Sequence, residues 1–154
     1  MKLNIFGLGF VGLCCLAAIS AQACECNPVL EIEAELQRSD VVFIGKALSD
    51  VQVRNGVGQA EFKVLQIYKG EPGNVLPVFT GGAGSCGILF KKSAQYLVYA
   101  SLQKTPGTRL WTTICYRTAE LERAKTDVDV LTRLQKKPPA GAAQPAAAPD
   151  ATRR

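Results

Sequence analysis

Cys24-Glu25-Cys26-Asn27-Pro28 is the stretch on which the reading of this chain turns. Before it, Met1 to Ala23 has one positive charge at Lys2, then an uncharged apolar run from Ile5 to Ile19, and closes on Ala21-Gln22-Ala23. That is the order of a secretory signal with an A-x-A cleavage site. The apolar run falls short of the roughly 20 residues a membrane span needs, which sets the cleaved reading above an uncleaved anchor. No other segment is apolar and long enough to cross a bilayer. Cleavage after Ala23 makes Cys24 the first mature residue and its α-amine a candidate functional group. A lipidated Cys24 is the competing fate, but Gln22 and the absence of a preceding Leu fit a lipoprotein site poorly. The expected location is therefore secreted or periplasmic.

Export decides how the cysteines are read. Cys14 and Cys15 leave with the signal, so Cys24, Cys26, Cys86 and Cys115 remain for an oxidising compartment. A Cys-x-Cys pair closes poorly on itself, because the intervening backbone would be strained. Two connectivities remain: 24 to 86 with 26 to 115, or 24 to 115 with 26 to 86. Either staples both leading cysteines to distant points, each bridge contributing roughly 4 kcal/mol in the chain-entropy model. A four-cysteine zinc site competes, but Cys-x-Cys lacks the usual ligand spacing and export favours disulfides.

Past this stretch a short helix is expected, with Asn27 as its cap, Pro28 at the first helical position and Glu31 in the first turn. Val29, Ile32 and Leu36 form the core-facing stripe, with Glu31, Glu33 and Glu35 pointing elsewhere, and Ser39-Asp40 ends the helix. Strand patterns follow. Val41 to Ala47 is a buried run that extends with poorer alternation to Val53, and Asn55-Gly56 is a hairpin signal. Gln59 to Tyr68 places Ala60, Phe62 and Val64 on one face. Val75 to Thr80 is a strand whose Pro77 argues for an edge or a bulge. Gly81 to Gly87 is a loop pinned by Cys86, and the final strands run from Gln95 to Ser101 and from Arg109 to Cys115. Five strands separated by turn signals predict a mostly β protein with a small closed or partly open barrel. Leu121, Ala124, Val128 and Leu131 recur at helical spacing and predict a closing helix. From Lys136 to Arg154 a Pro/Ala-rich run without large apolar residues reads as a disordered tail. The layout is a signal over 1–23, one domain over 24–135 and a tail over 136–154.

Composition excludes several functions. The formal charge of +5 becomes +4 without Lys2. Phe62, Tyr68, Phe79, Tyr96 and Tyr99 mostly follow strand alternation and read as core, with no basic run among them, so nucleic acid is not an expected partner. The chain has no histidine, removing the commonest general base and metal ligand. No Ser/Lys pair, carboxylate pair or phosphate loop has supporting context. Gly7-x-Gly9-x-x-Gly12 imitates a dinucleotide fingerprint, but it lies inside the signal with no preceding strand. No catalytic residue, cofactor or intrinsic metal is expected, and the protein is read as a monomer rather than an enzyme.

An ordered set of features resembles a known family. These are the Cys24-x-Cys26-x-Pro28 start, the strand after Ser39-Asp40, the Tyr68-Lys69-Gly70 strand end, Cys86-Gly87, and Thr112-Thr113-Ile114-Cys115. Together they resemble the amino-terminal domain of the tissue inhibitors of metalloproteinases and the wider netrin-like module, over about Cys24 to Leu134. The resemblance implies a five-stranded oligonucleotide/oligosaccharide-binding (OB) barrel with Cys24–Cys86 and Cys26–Cys115 disulfides. The third disulfide of the animal inhibitors' first domain and their cysteine-rich second domain are absent here.

The resemblance also implies a mechanism. The free amine and carbonyl of Cys24 would chelate the catalytic zinc of a target protease and take the position such a metal keeps open. An α-amine with a reference pKa of about 7.7 to 8.0 is partly neutral near pH 7 and can donate its lone pair. Glu25, Cys26, Asn27 and Pro28 would continue the contact edge, with Gly84 and Ser85 beside them. Glu25 departs from the small Ser or Thr that the inhibitors direct into the protease pocket. A carboxylate there needs a basic or hydrated pocket, since burying it unpaired costs several kcal/mol. The alternative is a non-inhibitory netrin-like module that binds another exported protein.

Overall fold

The structure is a computed structural model that describes residues 24–26, 30–82, 84–104 and 107–137. The expected signal over 1–23, Asn27, Pro28, Val29 and most of the tail lie outside the described residues. Among the described residues, seven strands and two helices follow one another. α1 spans Ile32–Arg38, β1 Val41–Ala47, β2 Gln52–Arg54 and β3 Val57–Lys69. β4 spans Val75–Gly81, β5 Gln95–Lys104, β6 Thr108–Trp111 and β7 Ala119–Glu120; a 3-10 turn over Leu121–Arg123 leads into α2, Lys125–Lys136.

The sheet closes on itself. β1 pairs antiparallel with both β3 and β5, β3 with β4, and β5 with β6, while β4 and β6 complete the ring in parallel. The circular order β1-β3-β4-β6-β5 is a five-stranded barrel of the OB type, with β2 added to β3 and β7 to β5. Side-chain alternation fills its interior with Val41, Phe43, Ala47, Ala60, Phe62, Val78, Tyr96, Val98, Ala100 and Leu110. Phe62 makes edge-on contacts with Phe90 and Tyr96, at ring separations of 4.9 and 6.0 Å.

A second apolar layer explains why β1 and the first half of β5 read as unbroken hydrophobic runs. Val42, Ile44, Leu97 and Tyr99 face outward from the barrel and are covered by Leu36 of α1 and Val128 and Leu131 of α2. Strands covered on both faces lose the polar half of their alternation. β3, open on its outer face, keeps it: Ala60 and Phe62 are buried, and Gln59, Glu61 and Lys63 are exposed.

Several boundaries differ from the sequence reading. α1 begins at Ile32 with Glu31 as its cap, not at Asn27-Pro28. The Leu30 carbonyl accepts a hydrogen bond from Arg117 Nη1 at 3.1 Å, a tertiary partner in place of a helical amide. Glu35 does not point away from the core; it is fully buried. Positions 32, 35, 36 and 39 share one helical face, and Arg38 Nη2 neutralises the carboxylate by donating to both of its oxygens at 2.9 and 2.8 Å. The run to Val53 divides at a turn into β1 and β2. Asn55 and Gly56 form the expected hairpin, both at positive φ, 51° and 75°. Pro77 lies on β4 ahead of the residues that pair with β6, in the half of the strand bonded on one side only.

The last predicted strand is shorter than its β-propensity suggests. β6 stops at Trp111, and residues 113–116 turn, Tyr116 N donating to the Thr113 carbonyl at 3.1 Å. The turn delivers Cys115 to its disulfide. Thr118 takes over part of the lost ladder: its hydroxyl accepts from Tyr99 N at 2.8 Å and donates to Tyr99 O at 3.0 Å.

Candidate functional site at the disulfide-tethered amino-terminal edge

Residues 24–26 belong to no helix or strand, and each cysteine is bonded to a different loop. Cys24 is joined to Cys86 and Cys26 to Cys115, with Cα separations of 5.5 and 5.3 Å. These four cysteines are therefore oxidised and none of them is a thiolate, which removes the four-cysteine zinc reading; among the described residues no cluster of metal-ligating side chains occurs. Two disulfides place the folded protein in an oxidising environment.

The two receiving loops are themselves tied. Ile114 N donates to the Cys86 carbonyl at 3.0 Å, so both bridges anchor in one piece of backbone. On the first loop, Ser85 N and Ser85 Oγ both donate to the Gly82 carbonyl, at 3.0 and 2.9 Å. Gly84 sits at φ 83° and Cys86 at φ 59°, and the left-handed conformation at both turns the loop sharply. At its base, Gly81 and Gly87 approach so closely that a Cβ on either would overlap backbone of the loop, with Gly81 meeting Ser85 and Gly87 meeting Gly81. The Thr80 hydroxyl accepts from Ile88 N at 2.9 Å and closes the loop.

On the second loop Arg38 is the tether. Besides Glu35, its Nη2 donates to the Cys115 carbonyl at 3.2 Å, and its guanidinium lies 4.5 Å from the centre of the Tyr116 ring. Arg117 holds the adjoining segment through Leu30 and is itself held by Asp127. Its Nε and Nη2 donate to Asp127 Oδ2 and Oδ1, both at 2.7 Å, and that paired hydrogen bonding raises the Arg117 pKa. The Tyr99 hydroxyl donates to the same carboxylate at 3.0 Å.

The residues expected at the site fall as follows. Cys24 and Cys26 are half-buried, and Glu25 between them is exposed. Gly84 and Ser85 are exposed beside Cys86, so the first bridge brings them next to Cys24. Asn27 and Pro28 lie outside the described residues. Sequence reasoning passed over Glu35, Arg38, Arg117 and Asp127, which hold the edge from beneath. Spacing alone did not mark them: Glu35 lies three residues beyond half-buried Ile32 and Asp127 three beyond buried Ala124, but a charged residue at such a position ordinarily stays solvated. Among the described residues no helix is long and apolar enough to cross a membrane.

No protein-family model and no curated protein matches the chain.

Proposed function

We propose that the protein is a tissue-inhibitor-like inhibitor of zinc metalloproteases, acting through the amine and carbonyl of Cys24 after removal of residues 1–23. The observation that carries this reading is the double tether: Cys24 and Cys26 bonded to two loops that are hydrogen-bonded to each other, with Glu25 exposed between them. Chelation by a chain terminus otherwise loses affinity to the entropy of ordering a mobile segment. A terminus already crosslinked at its first and third residues avoids most of that loss. Gly84 and Ser85 extend the edge, and Glu25 directs the inhibitor toward a protease whose pocket beside the zinc is basic or hydrated.

The test uses the oxidised protein with Cys24 as its first residue and a second form carrying one added alanine before Cys24. The added residue converts the α-amine to an amide that cannot bind zinc. Inhibition of a panel of zinc endopeptidases by the first form and its loss in the second support the mechanism. Equal inhibition by both forms, or none by either, removes it.

A further inference from the structure

A second site lies on the outer face of the barrel, over β2, β3, β4 and β6, and shares no residue with the Cys24 edge. It is an open groove of about 610 Å³, within the size range of small-ligand sites. Its floor follows the strand register: Gln52 pairs with Gln59 and Gln59 with Phe79, which sets two amides and an aromatic ring in one row across three strands. From the strand spacing, that row is about 10 Å long. Arg54 and Arg109 stand along the groove, with Glu61 as its carboxylate.

Most of the groove's polar groups are arranged but unused; Gln52 Nε2 makes one long hydrogen bond, to the Asp50 carbonyl at 3.4 Å, and keeps its amide oxygen free. Among the described residues the side chains of Arg54, Gln59, Glu61 and Arg109 have no hydrogen-bond or ion-pair partner, which leaves their donors and acceptors to a ligand. Arg109 is nonetheless held in place, its guanidinium 5.0 Å from the centre of the Phe79 ring. A guanidinium positioned in this way offers its planar fork to an oxyanion with less ordering loss than a free side chain. Two arginines against one glutamate leave one net positive charge, and the amides suit a ligand rich in hydroxyls. Nucleic acid fits less well: a single aromatic, already stacked with an arginine, offers no platform for successive bases, and no basic track follows a phosphate chain.

We propose that this groove binds a short carboxylate-bearing oligosaccharide, with Arg54 and Arg109 on the carboxylates and Gln52 and Gln59 on the hydroxyls. Titration calorimetry of the oxidised protein with tetragalacturonate tests it, with cellotetraose as the uncharged counterpart and oligo(dT) as the nucleic-acid arm. Tetragalacturonate is expected to bind at least tenfold more tightly than either. Arg109→Gln and Arg54→Gln are each expected to weaken it at least tenfold, and Phe79→Leu to weaken it through release of Arg109. These positions lie outside the barrel core, so thermal unfolding checks that each variant is folded. Absence of tetragalacturonate binding, equal binding of cellotetraose, preference for oligo(dT), or affinity unchanged in both arginine variants would each overturn the assignment.

Discussion

Tyr99 shows how one side chain couples the barrel to the carboxyl-terminal helix. Its ring belongs to the outer apolar layer, and its hydroxyl donates to Asp127, which Arg117 grips from the other side. Burial, followed by the neighbouring Asp127 charge, pushes the Tyr99 pKa far above its ordinary value of 10.0. A raised folded-state pKa means the stabilisation is whole below the unfolded value and fades as pH climbs above it, because only the unfolded chain then releases the proton. Tyr99→Phe should therefore remove about 1.4 kcal/mol of the stability loss between pH 9 and pH 11, for an unfolded pKa near 10. Urea unfolding of the two proteins at both pH values measures it, and identical pH dependence would refute it. Tyr96 is raised by burial too, so part of the alkaline slope persists in the variant. None of this was legible at residue scale in the sequence. Tyr99 reads as one more apolar position in a strand, and Asp127 as a solvated helix charge, until the helix docks and brings residues 28 apart into contact.

At the scale of elements, local rules predicted what local physics controls. The Asn55-Gly56 turn, the alternating face of β3 and the Val128–Leu131 half of the closing stripe follow from spacing alone, whereas Leu121 and Ala124 of that stripe lie in the 3-10 turn and the cap ahead of α2. The loop from Gly81 to Gly87 belongs to another kind. Its glycines mark flexibility in a sequence reading, whereas in the fold they permit contact between the two ends of the loop, with no room for a Cβ at Gly81 or Gly87. Gly87→Ala must push the Gly81 carbonyl away and shift the backbone that carries Cys86. The expected cost is about 2–3 kcal/mol, as for overpacking a site bounded by backbone. A urea midpoint unchanged from the parent protein would count against this close packing. Phe90 was missed for a related reason. It closes the barrel from an irregular segment, where no periodicity announces a buried side chain.

For the whole molecule the two crosslinks weigh most. They span 62 and 89 residues, and the chain-entropy relation makes each worth about 4–5 kcal/mol, nearly equal because the dependence on loop length is logarithmic. Single domains have only about 5–15 kcal/mol in total. Paired Cys26→Ser and Cys115→Ser replacement should bring the protein close to the limit of folding at 37 °C, read as a large fall in the urea midpoint. A loss under about 1 kcal/mol would show that the bridges constrain the unfolded chain little. By itself the sequence determined the strand and helix types and the oxidised state of the cysteines, since alternation, turn chemistry and thiol number act over a few residues or on composition alone. Only the tertiary structure decided that β4 and β6 close the ring in parallel, that Glu35 and Asp127 turn inward beneath the amino-terminal edge, and that the row from Gln52 to Phe79 forms a groove. Those features depend on register and docking between distant segments, whose energies arise when the pieces meet and leave no periodic trace along the chain.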